Sequence, residues 1–188
     1  MDELTRLAVA ARRGDPAVIA AFIRASQNEV WSVCAYLVDQ DSADDLTQET
    51  YLRVFRALPK FRQQSSARTW LLTITRRVCM DELRRRLRRR RRETALPHPA
   101  EHPAQPGDTQ QVEVRELLNQ LPHDRRTAFV LTQVLGLSYQ QAGHICHCPP
   151  GTIGSRVARA RTDLIDALGL TDEIARHTDT EARPDAMG

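Results

Sequence analysis

The stretch 93–111 constrains this chain more than any other. It holds Pro97, Pro99, Pro103, Pro106 and Gly107 and hardly any large apolar residue, a composition that cannot offset the entropy lost on folding. We read it as an extended, flexible linker. A chain of 188 residues interrupted near its middle in this way builds two small cores in place of one large one. The expected division is a first domain at 1–92, the linker at 93–111, a second domain at 112–170 and an acidic tail at 171–188.

Each half reads as helical. Aromatic residues make up only 5% of the chain, glycine is sparse, and β-branched residues rarely fall in the alternating runs that strands require. Breaks are expected at Gly14-Asp15-Pro16, at 39–42 and at 59–66 in the first half, and at Leu121-Pro122, 136–138 and 147–150 in the second. Four helices follow in each, and the expected fold class is all-α.

Charge narrows what such helices can meet. Lys60 is the only lysine, so the other 26 of the 27 basic residues are arginine, whose planar fork suits phosphate and guanine edges. A GC-rich genome would give the same bias. The net charge of +3 hides an asymmetry: residues 68–92 carry eleven arginines against Asp81 and Glu82, while 171–188 carry five acids against Arg176 and Arg183. The middle of the chain therefore calls for a polyanion.

Several negative expectations also come from the sequence. No run approaches the roughly 18 apolar residues of a membrane span, and the start of the chain is acidic at Asp2 and Glu3 where a signal peptide would be basic. Cytoplasmic location is expected, and with it free thiols at Cys34, Cys79, Cys146 and Cys148. His144, Cys146, His147 and Cys148 are too closely spaced on a helix and its turn to converge on one tetrahedral ion, so no metal is expected. No basic neighbour in the local sequence activates Cys146 or Cys148.

Three segments carry specific patterns. Along 44–58, DDLTQETYLRVFRAL, the residues Tyr51, Val54, Phe55 and Leu58 share the core face, leaving Asp45, Glu49, Leu52, Arg53 and Arg56 outside. That outer face fits either a solvated surface or the rim and anchor of a protein interface.

The second pattern begins with Ser65 or Ser66, either of which can cap a helix starting near Ala67. Trp70, Leu71, Ile74 and Val78 then point inward, and Arg68, Arg76, Arg77 and the run at 84–92 form a cationic surface. The loop before it, 61–66, offers amide and hydroxyl groups able to bond an unpaired base edge.

The third is a helix-turn-helix at 137–168. Ser138 and Gln141 form a capping box, and Tyr139, Ala142, Ile145 and Cys146 make the buried face of the first helix. Pro150 opens the second helix, whose apolar stripe is Ile153, Val157, Ala160 and Leu164. Thr152, Ser155, Arg156 and Arg159 lie together on its other face, as a major-groove reader requires.

DDLTQETYLRVFRALPKF, SARTWLLTITRRVCMDELRRR and GLSYQQAGHICHCPPGTIGSRVARAR, in this order and separated by a proline-rich linker, resemble the extracytoplasmic-function (ECF) group of the sigma-70 family. The likeness runs to about Leu168. It implies that the halves are sigma region 2 and sigma region 4, and that helix 44–58 docks on core RNA polymerase through Asp45, Glu49, Leu52, Arg53 and Arg56.

The resemblance further implies that Gln63, Gln64, Ser65, Arg68, Arg76 and Arg77 read and melt the −10 element, and that Thr152, Ser155, Arg156 and Arg159 read the −35 duplex. Polymerase then does the chemistry, so neither a catalytic residue nor a cofactor is expected in this chain. Many relatives are held inactive by an anti-sigma factor, which makes one an implied partner.

Three positions depart from the family pattern: Gly154 where Lys or Arg is usual, Arg77 in place of a common Asn, and His147 in place of the turn glycine. A left-handed backbone at His147 would strain a residue with a Cβ. Two other readings remain. A stand-alone regulator would use the same helix-turn-helix as a dimer without a docking helix. An enzyme would have to rest on the residues around His144 or on Asp44 and Asp45, which come without a matching nucleophile, base and orienting group.

Overall fold

The computed structural model describes residues 1–93 and 109–168, and these are helical and free of strands. The linker reading of 94–108 and the tail reading of 169–188 lie outside the described residues. The first half comprises α1 (Glu3–Ala11), α2 (Pro16–Leu37), α3 (Ala43–Ala57), a 3₁₀ turn at Leu58–Lys60 and α4 (Ala67–Glu93).

Local chemistry sets the starts of these helices. Asp2 caps α1 by accepting from the Thr5 amide at 2.9 Å, and Asp15 caps α2 through the Ala17 amide at 2.9 Å, with Pro16 in the first turn. Ser66 is the residue that opens α4, its Oγ accepting from the Thr69 amide at 3.2 Å. The Thr5 hydroxyl donates to Asp2 at 2.7 Å and accepts from the Ala67 amide at 2.9 Å, so the first turn of α1 also supplies a partner to the first turn of α4.

Phe22, Val30, Val33, Leu37, Val54, Leu58, Leu71, Leu72 and Val78 fill the space between these helices with almost no exposure. Within this core Tyr51 donates to Ser26 Oγ at 2.8 Å, because Ser26 spends its own proton on the Phe22 carbonyl at 2.7 Å. Trp70 is half-buried and packs on Phe61 with ring centroids 4.9 Å apart, while Ile74 reaches only partial burial.

The second half comprises α5 (Thr109–Gln120), α6 (His123–Phe129) running on as a π turn at Val130–Val134, α7 (Tyr139–Cys146) and α8 (Pro150–Ala167). Leu121, Val130, Leu131, Leu137, Ile145, Ile153 and Val157 form its core. Arg125 on α6 grips Asp163 on α8 with two contacts of 2.6 and 2.8 Å from one nitrogen.

The halves are packed together: α4 lies against α7, and α2 touches α5, α6 and the π turn. Their buried side chains continue into one cluster at this junction, although each set of helices has its own core.

Candidate nucleic-acid and partner interfaces

The outer face of α3 forms as the periodicity predicts. Tyr51, Val54 and Leu58 are buried, Phe55 is half-buried, and Asp45, Leu52 and Arg56 are exposed. Leu52 keeps 54% of its surface in solvent, the largest exposed apolar side chain of this helix. The helix is held in place from both sides. Trp31 of α2 donates to Asp44 at 2.8 Å, and Arg53 bridges Glu49 and Asp81 of α4 at 2.7 Å each. Those two carboxylates raise the Arg53 pKa further, so Glu49 and Arg53 present a neutralised pair beside Leu52.

The loop at 61–66 projects Gln63 and Gln64 into solvent, with Ser65 half-buried. Gln63 has φ of 56°, a left-handed conformation that costs a side chain with a Cβ about 1 kcal/mol or more. Along α4, Arg84, Arg85 and Arg86 pair with Asp81 and Glu82, and Arg86 also reaches Asp39 and Ser42. These acids offset the mutual repulsion of the first arginines in the run, and the helix continues through the rest to Glu93.

Three arginines nearer the start of α4 face the second half. Arg68 pairs with Glu29 and donates to the Leu135 carbonyl at 2.7 Å; Arg77 donates to His147 at 3.1 Å. Arg76 is half-buried, and its Nε is buried without a hydrogen-bond partner. Its charge, after burial itself and Arg126, helps hold His123 down to about 4. The structure thus separates the expected −10 set: Gln63 and Gln64 stand free on the loop, whereas Arg68, Arg76 and Arg77 lie at the junction.

In the helix-turn-helix, Ser138 Oγ accepts from the Gln141 amide at 3.2 Å and Gln141 answers by accepting from the Ser138 amide at 2.9 Å, closing the capping box. His147 ends α7 in the left-handed region at φ 54°, the strain expected of a residue standing in place of glycine. The Cys148 amide then donates to the Gly143 carbonyl at 3.0 Å. Gly143 permits this turn, since a Cβ there would lie 2.7 Å from the Cys148 carbonyl oxygen.

Tyr139 corrects one expectation. It is 42% exposed and does not belong to the buried face of α7; its ring lies instead over Gly154 of α8. A Cβ at Gly154 would meet that ring at 3.4 Å. A Cβ at Gly154 would thus rest in ordinary contact with the ring, and a longer side chain there would share its space with the tyrosine.

On α8, Ile153, Val157 and Ala160 are buried, Thr152 is half-buried, and Ser155 and Arg159 point into solvent. Arg156 is committed elsewhere, to Asp124 at 2.7 Å and to the Cys148 sulfur at 3.7 Å. Cys148 accordingly has a basic neighbour that its local sequence does not reveal. Burial pushes the Cys146 thiol up to about 11, which keeps it protonated. The partners of Arg68, Arg156 and Arg77 lie 39, 32 and 70 positions away, and no local pattern could have found them.

Family models agree with this geometry. One described as Sigma-70 region 2 matches residues 22–90, and one described as Sigma-70, region 4 matches residues 111–164. The chain is 48% identical over 170 residues to the ECF RNA polymerase sigma factor SigC of Mycobacterium tuberculosis, covering 87% of this chain and 90% of the relative. It is 40% identical to the ECF RNA polymerase sigma factor EcfG of Rhodopseudomonas palustris, covering 66% and 70%. Among solved structures, the sigma factor RpoE of Bartonella quintana, determined with the anti-sigma factor NepR, superposes with a TM-score of 0.68 at 32% identity, over 79% of this chain and 95% of that one. CnrH, determined with the cytosolic domain of CnrY, gives 0.71 at 21% identity over 90% and 99%, a likeness of fold.

Proposed function

The chain belongs to the ECF group of the sigma-70 family, and from that premise we propose how its residues divide the work of a sigma factor that takes core RNA polymerase to particular promoters. Proteins of this family are transcription initiation factors, and the covalent chemistry belongs to the polymerase. The outer face of α3, Asp45, Glu49, Leu52, Arg53 and Arg56, docks on core enzyme with Leu52 as its apolar anchor. Gln63, Gln64 and Ser65 hold an unstacked base of the −10 element, with Arg68, Arg76 and Arg77 on its backbone. Thr152, Ser155, Arg156 and Arg159 face the −35 duplex.

The observation that carries this reading is the helix-turn-helix itself. A completed capping box and a left-handed turn at His147 set α8 on α7 so that its apolar stripe is buried while Ser155 and Arg159 stand clear. A stand-alone regulator would share that motif but has no use for α3 braced on two neighbouring helices with an exposed leucine. We also infer an anti-sigma partner that covers α3, since the Bartonella quintana relative was determined with one. No helix among the described residues is long and apolar enough to cross a membrane; action on polymerase and promoter DNA supports a cytoplasmic location.

The test is transcription by sigma-free core polymerase on fragmented genomic DNA of the source, with and without this protein, mapping new 5′ ends. New starts that share −35 and −10 elements are expected. No new starts from folded protein that also fails to comigrate with core would move the assignment to a duplex-binding regulator.

A further inference from the structure

Beneath α3 lie two thiols in contact that neither promoter binding nor polymerase docking uses. Cys34, in the last turn of α2, and Cys79, midway along α4, are fully buried, and Cys79 donates to Cys34 with the sulfurs 3.9 Å apart. Their surroundings are not uniformly apolar. Thr47 and Thr50 of α3 stand beside Cys34. The Thr50 hydroxyl donates to the Leu46 carbonyl at 2.8 Å, whereas the Thr47 hydroxyl is buried with no partner of its own.

A buried hydroxyl left unpaired is costly, and a thiolate on Cys34 would supply the acceptor it lacks. The Cys79 thiol first, then the Thr47 and Thr50 hydroxyls, lower the Cys34 pKa against the effect of burial; the same sulfur contact together with burial raises Cys79. Cys34 is the acceptor sulfur of the contact, so the Cys79 proton favours a thiolate on Cys34, which makes Cys34 the nucleophile of the pair. Complete burial of both sulfurs excludes glutathione disulfide from the folded protein, so the oxidant to consider is hydrogen peroxide, little larger than water.

We infer that Cys34 and Cys79 are a peroxide-reactive dithiol that closes to a disulfide and thereby weakens docking through α3. The second clause rests on the polymerase-docking reading of that helix. The Cys34 thiolate attacks one oxygen of hydrogen peroxide; the O–O bond breaks, leaving a sulfenic acid on Cys34, and the departing hydroxide takes up the proton lost by that thiol as water. The Cys79 sulfur then attacks the Cys34 sulfur, the S–O bond breaks, and the leaving hydroxide carries off the Cys79 proton as a second water. Two thiols lose two electrons to one peroxide.

Closing the pair brings the sulfurs from 3.9 Å to about 2.05 Å. The bond ties α2 to α4 beneath α3 and ends the part Cys34 plays as a hydrogen-bond acceptor for Thr47 and Thr50. Because α3 packs on both helices, Asp45, Glu49 and Leu52 move with their support.

To test this, the full-length native protein is exposed to hydrogen peroxide, residual thiols are blocked after unfolding, and tryptic peptides are mapped. Cleavage at Arg24 and Arg53 releases Cys34, and cleavage at Arg77 and Arg84 releases Cys79. The expected result is a crosslink between these two peptides that dithiothreitol removes. In Cys79→Ala, dimedone present during the unfolding step should instead trap a sulfenic acid on Cys34. Recovery of both cysteines as blocked thiols, or oxidation of Cys34 to a sulfinic acid in the native sequence, overturns the dithiol.

Oxidised and reduced protein are then titrated with core polymerase. The oxidised form is expected to bind about fivefold or more weakly, the low end of usual coupling between two sites. Equal affinities overturn the link to α3. A reduced protein that fails to bind core overturns the docking reading instead, and the peptide map still decides the dithiol.

Discussion

Arg77 donates to Nε2 of His147 at 3.1 Å, joining the face of α4 assigned to the −10 element to the turn between α7 and α8. An accepting Nε2 requires a neutral imidazole with its proton on Nδ1. Burial first and the Arg77 charge second lower the His147 pKa in that direction. Arg68 adds a second tie through the Leu135 carbonyl. While these contacts hold, part of the donor capacity of both arginines is spent on the second half of the chain.

If Arg68 and Arg77 serve the −10 element as proposed, promoter capture is expected to separate the halves. With dyes at the exposed positions Arg12 and Gln140, energy transfer should fall when core polymerase and promoter DNA are added. Unchanged transfer in a transcribing complex would show that Arg68 and Arg77 stay at the junction and do not serve the −10 element.

Gly143 and Gly154 of the helix-turn-helix should respond oppositely to alanine. At Gly143 a Cβ would collide with the Cys148 carbonyl, so Gly143→Ala should cost about 1–3 kcal/mol of unfolding free energy. At Gly154 a Cβ would meet only the half-exposed Tyr139 ring, at van der Waals distance. Gly154→Ala should stabilise by up to about 1 kcal/mol, the helix-propensity gain. Urea unfolding of the two variants decides both.

His123 makes stability fall in mild acid. Its pKa is about 4 in the folded chain against roughly 6.5 unfolded, so between these values the unfolded state binds more protons. Stability is at its full value above pH 6.5 and declines as pH falls toward 4, by on the order of 1–2 kcal/mol at pH 5. Arg76→Met should raise the His123 pKa, followed by NMR titration of the imidazole; an unchanged value would mean that Arg76 does not face it.

Leu52 and Arg53 separate binding from folding. Leu52→Ala should change stability by less than about 0.5 kcal/mol while weakening core polymerase binding by about 1 kcal/mol or more. Arg53→Met, which loses partly exposed pairs with Glu49 and Asp81, should cost about 0.5 kcal/mol of stability. Calorimetric titration with core enzyme checks the first and thermal unfolding the second.

Local chemistry was legible in the sequence, and contacts distant in the chain were not. The capping box at Ser138, the proline start at Pro150 and the core stripe of α3 each depend on residues within a turn or two of one another. Tyr139 misled because helical spacing puts it in line with Ala142 and Cys146, while a glycine fifteen positions on offered its ring another resting place. Arg156 and Arg68 read as free cations because Asp124 and Glu29 come from other helices. The thiol pair was invisible for the same reason: Cys34 and Cys79 are 45 positions apart.

The hydroxyl of Thr5, held by Asp2 and accepting from the Ala67 amide, ties residues 2–5 to the first turn of α4, the helix proposed to melt the −10 element. An affinity tag fused ahead of Met1 would crowd Asp2 and loosen the first turn of α4. Preparations tagged at that end should open promoters more sluggishly than ones tagged after Gly188, and a laboratory comparing the two could mistake a purification handle for a weak sigma factor.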